Sequence, residues 1–317
     1  MKKTITICIL FSVLLTAACK KDGKPAVKPA DTVKTIAVNA PQKKWLEHWY
    51  EHDDLLTNVY YNDDLALYYD NEMDTTITWP RGAYTRIWHY IKQNYGNFGD
   101  SSRFYVVLHA NKHEGSGHPA PYYDVSHDYR NVLDVGESLS DWYKEEGDKL
   151  RLPIHEIGHI VASSSHGRTH DLQDDNIWGD SKFAEIFIYD VLLNSGYKSE
   201  ADAVYAQMND PSQTDNYNYP GVRYPGVNFF VDWFYPIYIK YGKGPVLARY
   251  FKQIADNVPM DRTDDLNLGE FVHFFSGAAG ANLREQAKIA FKEYWTSDSE
   301  AQLKQAQLDF QGVKYPY

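Results

Sequence analysis

The segment LRLPIHEIGHIVASSS, residues 150–165, places two histidines and a glutamate inside an otherwise apolar run. Positions four apart share one face of an α-helix, so His155 and His159 are predicted to direct both imidazoles at one metal ion. Glu156 is predicted to lie beside that ion, where its carboxylate accepts a proton from water. Pro153 suits the first turn of such a helix. Three ionisable groups are costly to bury without a partner, and a zinc ion is a suitable partner.

A catalytic zinc ion takes three protein ligands and keeps one position for water, so a third ligand must come from elsewhere. In a metzincin it is a third histidine, but His166 stands one residue too late for that pattern. In an aspzincin an aspartate follows soon after the motif, and three are available: Asp171, Asp174 and Asp175. In a gluzincin a glutamate arrives on a second helix. We favour Glu185 because it is a single carboxylate amid the apolar residues of a predicted helix.

HEIGH and the segment FAEIFIYDVLLNSGY, residues 183–197, together resemble the gluzincin clan of metallopeptidases. Their layout is similar to that of the basic secretory protein family of plant and bacterial peptidases. In that family the HExxH helix is followed by a helix with a glutamate, then an acid or tyrosine, then a closing Gly-Tyr. The matching places here are Glu185, Tyr189 with Asp190, and Gly196 with Tyr197. The resemblance covers about residues 150 to 300.

This resemblance implies zinc-dependent peptide-bond hydrolysis by a metal-activated water, with one zinc ion per chain. His155, His159 and Glu185 would bind the ion, and Glu156 would act as general base. Gluzincins also use a donor for the developing oxyanion. Four tyrosines are candidates for that role, and the choice among them stays open: Tyr217, Tyr219, Tyr224 and Tyr235. Tyr189 or Asp190 is a candidate to orient a ligand histidine from behind.

The elements around the motif predict an α+β, zincin-like fold for residues 44–317. A small mixed sheet with helices is expected to about residue 165, followed by a mainly helical part. The predicted N-terminal elements are helices at 43–56 and 81–96, strands at 103–110 and 131–136, and a loop at 111–130. The strand at 103–110 is expected to form the sheet edge along the cleft, where a peptide substrate adds as a further strand.

The C-terminal part is expected to be helical around a long turn-rich loop at 209–226. The predicted helices are 181–196, 228–242, 244–257, 268–277 and 282–295. Three glycines, Gly196, Gly242 and Gly277, are predicted to end helices.

The N-terminus has the layout of a secretory signal, with two lysines followed by a short apolar run. LLTAAC resembles the lipobox of bacterial lipoproteins, which predicts a signal peptide over 1–18 and lipidation at Cys19. Residues 19–43 are then the lipidated cysteine with a flexible Lys/Pro-rich tether. We therefore expect an exported protein of the bacterial cell envelope, attached to the membrane through a lipid anchor alone.

The charge distribution excludes nucleic acid as a partner. The first 44 residues hold nine lysines and two aspartates, a net charge of +7. Since the whole chain has a net charge of −11, the remaining residues carry −18. So acidic a body repels polyanions. A protein, peptide or glycoprotein substrate and a monomeric state are expected. The alternative is a surface lipoprotein that binds glycans or proteins on a non-hydrolytic zincin-like scaffold, an idea suggested by 26 tyrosines and eight tryptophans.

A second group of histidines, His109, His113, His118 and His127, has no recognisable ligand spacing. The sequence therefore predicts an ordinary histidine cluster beside a loop rather than a second metal site.

Overall fold

A mixed six-stranded sheet forms the N-terminal part of the chain in the computed structural model. The structure describes residues 40–99, 102–172, 177, 182–213 and 223–317. The predicted signal, Cys19 and most of the tether lie outside them. The strands are β1 (Lys44–Leu46), β2 (Leu55–Tyr61), β3 (Leu65–Tyr69), β4 (Phe104–Ala110), β5 (Ser116–Ala120) and β6 (Asn131–Glu137). Their order across the sheet is β1-β2-β3-β4-β6-β5.

Strands β3, β4 and β6 run parallel to one another, whereas β1, β2 and β5 are antiparallel to their neighbours. The predicted strands at 103–110 and 131–136 are confirmed. The prediction that 103–110 forms the sheet edge is wrong, because β4 is paired on both sides. The edge strands of the described sheet are β1 and β5, and β5 lies within the segment predicted as a loop.

The predicted helix at 43–56 is also wrong, since this segment forms β1, a turn and the start of β2. Trp45 and Trp49 are both buried, at a spacing that imitates one turn of a helix. Trp45 instead lies in β1, whose Lys44–Leu46 stretch pairs with β2, and Trp49 follows in the turn. Burial at a four-residue spacing does not by itself distinguish a helix from a strand that ends in a turn.

Helices surround one face of the sheet and form most of the described chain after residue 147. Their bounds are α1 (Trp79–Tyr95), α2 (Leu139–Trp142), α3 (Asp148–Ser164), α4 (Lys182–Asn194), α5 (Lys198–Met208), α6 (Tyr235–Lys240), α7 (Gly244–Asn257), α8 (Leu268–Ala279), α9 (Arg284–Phe291) and α10 (Ser297–Asp309). A π-helical turn, Phe229–Phe234, leads directly into α6. Residues 40–317 belong to one compact unit, and its sheet and helices confirm the coarse part of the fold prediction, a mixed architecture of strands and helices.

Two glycine predictions hold and one does not. Gly196 and Gly242 follow α4 and α6 closely, with φ of 93° and 108°. Gly277 lies inside α8, which continues to Ala279 and is capped by Gly280 in the left-handed region. Among the described residues, none of the helices is both long and apolar enough to cross a membrane.

The two faces of the sheet bury different layers. Along β4, Phe104, Val106 and Leu108 belong to the main core shared with the helices. Val107 belongs to a smaller core on the opposite face, beneath Trp45 and the rest of the N-terminal segment. This alternation follows from the two-residue period of a strand. It also separates the two polar sites described below.

Candidate metal centre on the HEIGH helix

Helix α3 carries the motif and begins earlier than predicted, at Asp148. Pro153 therefore lies inside the helix rather than in its first turn. Proline has no N–H, so the carbonyl of Lys149, four residues before it, loses its helical donor. The Tyr84 hydroxyl donates to this carbonyl at 2.9 Å. The helix thus tolerates a proline two residues before His155 because a side chain of α1 satisfies the freed carbonyl.

The two histidines of the motif come together as their spacing predicts. The Nε2 atoms of His155 and His159 lie 3.3 Å apart. Two nitrogens at about 2.0–2.1 Å from one tetrahedral ion are separated by about 3.3–3.4 Å. Both side chains are half-buried. His155 also lines a cavity of about 360 Å³ together with Gly115, Leu152 and Ile188, among others.

Glu156 is buried between α3 and the edge strand β5. It is 7% exposed. A Cβ built on Gly117 would lie 2.7 Å from Glu156 Cγ and 2.8 Å from its Oε1. Glycine at position 117 therefore allows the strand to approach the carboxylate directly. This contact places the predicted general base against the edge of the sheet.

Glu185 lies in the first turn of α4, which packs closely on α3. A Cβ on Gly158 would lie 3.8 Å from the Ala184 Cβ and 3.4 Å from the Phe187 ring. The Glu185 side chain is 11% exposed, and its Oε1 lies 3.3 Å from Lys182 Nζ. Its Oε2 is buried with no hydrogen-bond partner among the described residues. Burial raises the pKa of this carboxyl to about 6, against the attraction of the Lys182 ammonium.

The structure does not gather all three predicted ligands into one tight group. Among the described residues, two groups of three or more histidine and carboxylate side chains have ligand atoms within 4.8 Å of one another. Neither group contains His155, His159 or Glu185. Those groups combine His52 and His109 either with His113 or with Glu47 and Asp134. The sequence prediction noticed His109 and His113, but it missed the three partners that precede or follow them.

The alternative third ligands are only partly described. Asp171 is described and half-buried, whereas Asp174 and Asp175 lie outside the described residues. His166 adopts φ 56° just after α3, and a Cβ on Gly96 would come very close to its ring. That ring therefore lies against the end of α1.

The tyrosine candidates are dispersed. Tyr217 and Tyr219 lie outside the described residues. Tyr224 packs on Phe229 and Phe291 in the C-terminal part. Tyr235 stacks on Phe230, with ring centroids 5.5 Å apart, and burial raises the pKa of its hydroxyl to about 12.

The two candidates for orienting a ligand occupy aromatic surroundings. Tyr189 contacts the rings of Phe230, Tyr235 and Tyr238. Asp190 accepts hydrogen bonds from three tyrosine hydroxyls at 2.8–3.0 Å, those of Tyr90, Tyr95 and Tyr238. Burial raises the pKa of Asp190, and these three donors oppose that effect.

Sequence reasoning missed Tyr50, which the structure brings near the motif. Its ring stacks on His118 of β5, with centroids 4.2 Å apart. Burial and three carboxylates, Glu156 among them, raise the pKa of its hydroxyl. Tyr50 and Glu51 both have positive φ, 50° and 63°, which is uncommon for residues with a Cβ. No local pattern in the sequence signals this turn.

Comparison with known proteins adds no assignment: no protein-family model matches the chain, and none of the curated proteins is significantly similar to it.

Proposed function

We propose that this protein is a zinc-dependent metallopeptidase of gluzincin type. The observation that carries the proposal is the pair of Nε2 atoms, 3.3 Å apart on His155 and His159, with Glu156 buried beside them. Two imidazole nitrogens that face each other share at most one hydrogen bond between them. The same spacing fits two ligands of one tetrahedral zinc ion.

Glu185 is proposed as the third protein ligand. It lies on the helix that packs against the motif, and its buried Oε2 has no hydrogen-bond partner among the described residues. A buried carboxylate oxygen without a partner is costly, and a cation compensates that cost. Lys182 Nζ, at 3.3 Å from the other oxygen, supplies part of this charge. A bound zinc ion would supply the rest.

The proposed chemistry uses Glu156 as the proton carrier. When bound, zinc supplies a Lewis acid that lowers the pKa of water and polarises a carbonyl. Glu156 accepts the proton of the attacking water and later delivers it to the leaving amine. Its contact with Gly117 limits the directions in which the carboxylate can move. The oxyanion donor is proposed to be one of the four candidate tyrosines, Tyr217, Tyr219, Tyr224 or Tyr235.

Strand β5 is proposed as the place where an extended peptide binds. It pairs with β6 on one side and is the last strand of the described sheet on the other. A free edge offers main-chain donors and acceptors to an added strand. Gly117 lies in this strand and contacts Glu156, so a peptide paired there would pass close to the proposed base. The substrate class is therefore a protein or peptide in extended conformation, glycoproteins included.

The setting proposed for this activity is the outside of a bacterial cell membrane. The signal-like N-terminus, the lipobox-like segment ending at Cys19 and the tether support export and a lipid anchor. The acidic body supports a role away from nucleic acids. A monomer is sufficient, because every proposed site residue comes from one chain.

Zinc content and hydrolysis test the proposal together. By elemental analysis of the purified full chain, the double variant His155→Ala/His159→Ala is expected to contain about one zinc per chain less than the wild type. Glu185→Ala is expected to weaken zinc binding about 10- to 100-fold or more. Glu200→Ala is the control and should leave zinc binding unchanged, because Glu200 pairs with Arg151 of the motif helix α3 and is not a proposed ligand. Full zinc affinity in Glu185→Ala would move the third ligand to the segment 166–175. Equal zinc in the wild type and the double variant would refute the centre.

A further inference from the structure

A second cluster of ligand groups lies on the face of the sheet opposite α3. It consists of Glu47, His52, His109 and Asp134, all buried, with ligand atoms within 4.8 Å of one another. Glu47 and His52 come from the segment between β1 and β2, His109 from β4 and Asp134 from β6. The cluster therefore joins the N-terminal segment to two central strands.

His109 faces more carboxylate oxygens than the hydrogens on its ring can serve. Its Nε2 lies 3.0 Å from Glu47 Oε1 and also 3.0 Å from Asp134 Oδ1. A ring nitrogen carries at most one hydrogen, so one N–H would have to serve two carboxylates. The other nitrogen, Nδ1, lies 3.3 Å from Asp70 Oδ2. A carboxylate behind the ring is the usual means by which proteins orient a metal-binding histidine.

The other two residues of the cluster, Glu47 and His52, lie close to Asp134 and to each other. His52 Nδ1 lies 3.0 Å from Asp134 Oδ2 and 3.8 Å from Glu47 Oε1. The Glu47 side chain is 0% exposed. Its Oε2 has no hydrogen-bond partner among the described residues. A fully buried carboxylate oxygen without a donor is costly unless a cation lies beside it.

We propose that Glu47, His52, His109 and Asp134 bind one divalent first-row transition-metal ion as a closed structural site, separate from the HEIGH centre. Two imidazole nitrogens and two carboxylate oxygens suit zinc, and two carboxylates balance its charge. Four protein ligands leave no position for a substrate, which is the arrangement of structural rather than catalytic zinc. Such an ion fastens the segment 47–54, between β1 and β2, to strands β4 and β6.

The cluster has a route to solvent at one side. The ring of His113 stacks on His52, with centroids 3.4 Å apart, and its side chain is 28% exposed. Asp54 lies next to it and is 21% exposed. A ligand nitrogen of His113 also lies within 4.8 Å of those of His52 and His109. His113 can therefore bind an ion transiently as the ion enters from solvent.

The test removes the HEIGH centre first, so that this proposal does not depend on the proposed function. In full-length His155→Ala/His159→Ala protein, elemental analysis after zinc loading and desalting is expected to give about one zinc per chain. Adding Glu47→Gln and His52→Ala should reduce this to below about one tenth. Adding His127→Gln, a buried histidine on the same face outside the ligand group, should leave it unchanged.

Thermal unfolding gives the second readout. Zinc is expected to raise the Tm of the double variant by several degrees and a chelator to reverse the rise, with neither effect after the Glu47 and His52 changes. Circular dichroism checks that each variant is folded. A folded double variant with no zinc and a Tm indifferent to zinc and chelator would overturn the proposal, leaving a cluster held by protons and ion pairs. That outcome would leave the HEIGH centre untouched.

Discussion

The two polar centres of this molecule lie on opposite faces of one sheet and differ in how they are assembled. The HEIGH centre draws three residues from five consecutive positions of α3 and is half-open to a cavity of about 360 Å³. The cluster of Glu47, His52, His109 and Asp134 draws on three separate segments, the stretch between β1 and β2, strand β4 and strand β6, and is buried throughout. An open centre leaves room for a reacting molecule, whereas a closed one serves to hold segments together.

This difference predicts separate consequences for function and stability. A ligand set brought together by the fold binds its cation in the folded state alone, so its binding energy stabilises the fold. A motif within one helix has its residues adjacent before the tertiary structure forms. Changes in the HEIGH centre should therefore affect hydrolysis more than unfolding, and changes in the buried cluster should do the reverse.

The largest expected effect is that of Glu156→Gln on hydrolysis. The amide keeps the shape and burial of the side chain but does not accept the proton of water. Loss of a general base lowers kcat by about 10²–10⁴-fold. Peptide hydrolysis measured beside zinc content and Tm should show lost activity with both other quantities unchanged. Hydrolysis that survives this change at full rate would remove Glu156 from the mechanism.

The next effect concerns stability and the buried cluster. Asp134 accepts from Trp49 Nε1 at 2.9 Å and faces His52 and His109 at 3.0 Å. In Asp134→Asn an amide group replaces one acceptor, so we expect the free energy of unfolding to fall by about 2–4 kcal/mol. Urea unfolding should show a lower midpoint with an unchanged slope.

Asp128→Asn is the matched control for this change. Asp128 also accepts from a tryptophan, Trp45 Nε1 at 2.9 Å, but its side chain is 41% exposed. Because water compensates a lost partner there, we expect a change below about 1 kcal/mol. Equal effects at positions 134 and 128 would contradict the view that the cluster stabilises the fold.

The comparison also explains which parts of the structure the sequence could predict. HEIGH and the helix around Glu185 were predictable because their signal is local, a four-residue spacing and a lone acid in an apolar run. The helix at 244–257 was likewise predicted at its observed bounds. The buried cluster was not, because His109 meets Glu47 across 62 positions and Asp70 across 39. Such pairings depend on strand order, which no local pattern contains.

Two strand errors have the same origin. Strand β5 reads Ser-Gly-His-Pro-Ala, a composition with little intrinsic preference for strands. It is a strand because β6 pairs with it, and its edge position tolerates Pro119. The segment 43–56 was misassigned as helix because the spacing of Trp45 and Trp49 imitates one helical turn. In both cases tertiary pairing overrides local preference.

Gly117→Ala tests the contact between strand β5 and the HEIGH centre. The added methyl group would lie 2.7 Å from Glu156 Cγ, so the flexible carboxylate side chain must move. A displacement of about 1 Å in a catalytic group costs up to 10²-fold, so we expect kcat to fall about 10- to 100-fold. Zinc content and Tm should change little. The neighbouring Ser116→Ala serves as control, and comparable losses in both variants would show that β5 matters in general rather than through Gly117.

Tyr50→Phe is expected to have the smallest effect, and it tests where the two regions meet. Tyr50 belongs to the segment that also carries Glu47 and His52, yet its ring stacks on His118 of β5. Burial raises the pKa of its hydroxyl, with smaller contributions from nearby carboxylates that include Glu156. Phenylalanine keeps the stacked ring and removes the hydroxyl. One lost hydrogen bond to substrate, about 0.5–1 kcal/mol, corresponds to a two- to fivefold decrease in kcat/KM.

Steady-state kinetics of Tyr50→Phe beside Tyr50→Ala separates the two contributions of this side chain. If the hydroxyl contacts substrate, Phe lowers kcat/KM and Ala lowers it further, because Ala also removes the ring that fixes His118. If Tyr50 only packs on β5, Phe behaves as the wild type and Ala alone is impaired. The segment that the buried cluster fastens to the sheet would in the first case reach the reacting peptide. In the second case the two faces of the sheet would act independently.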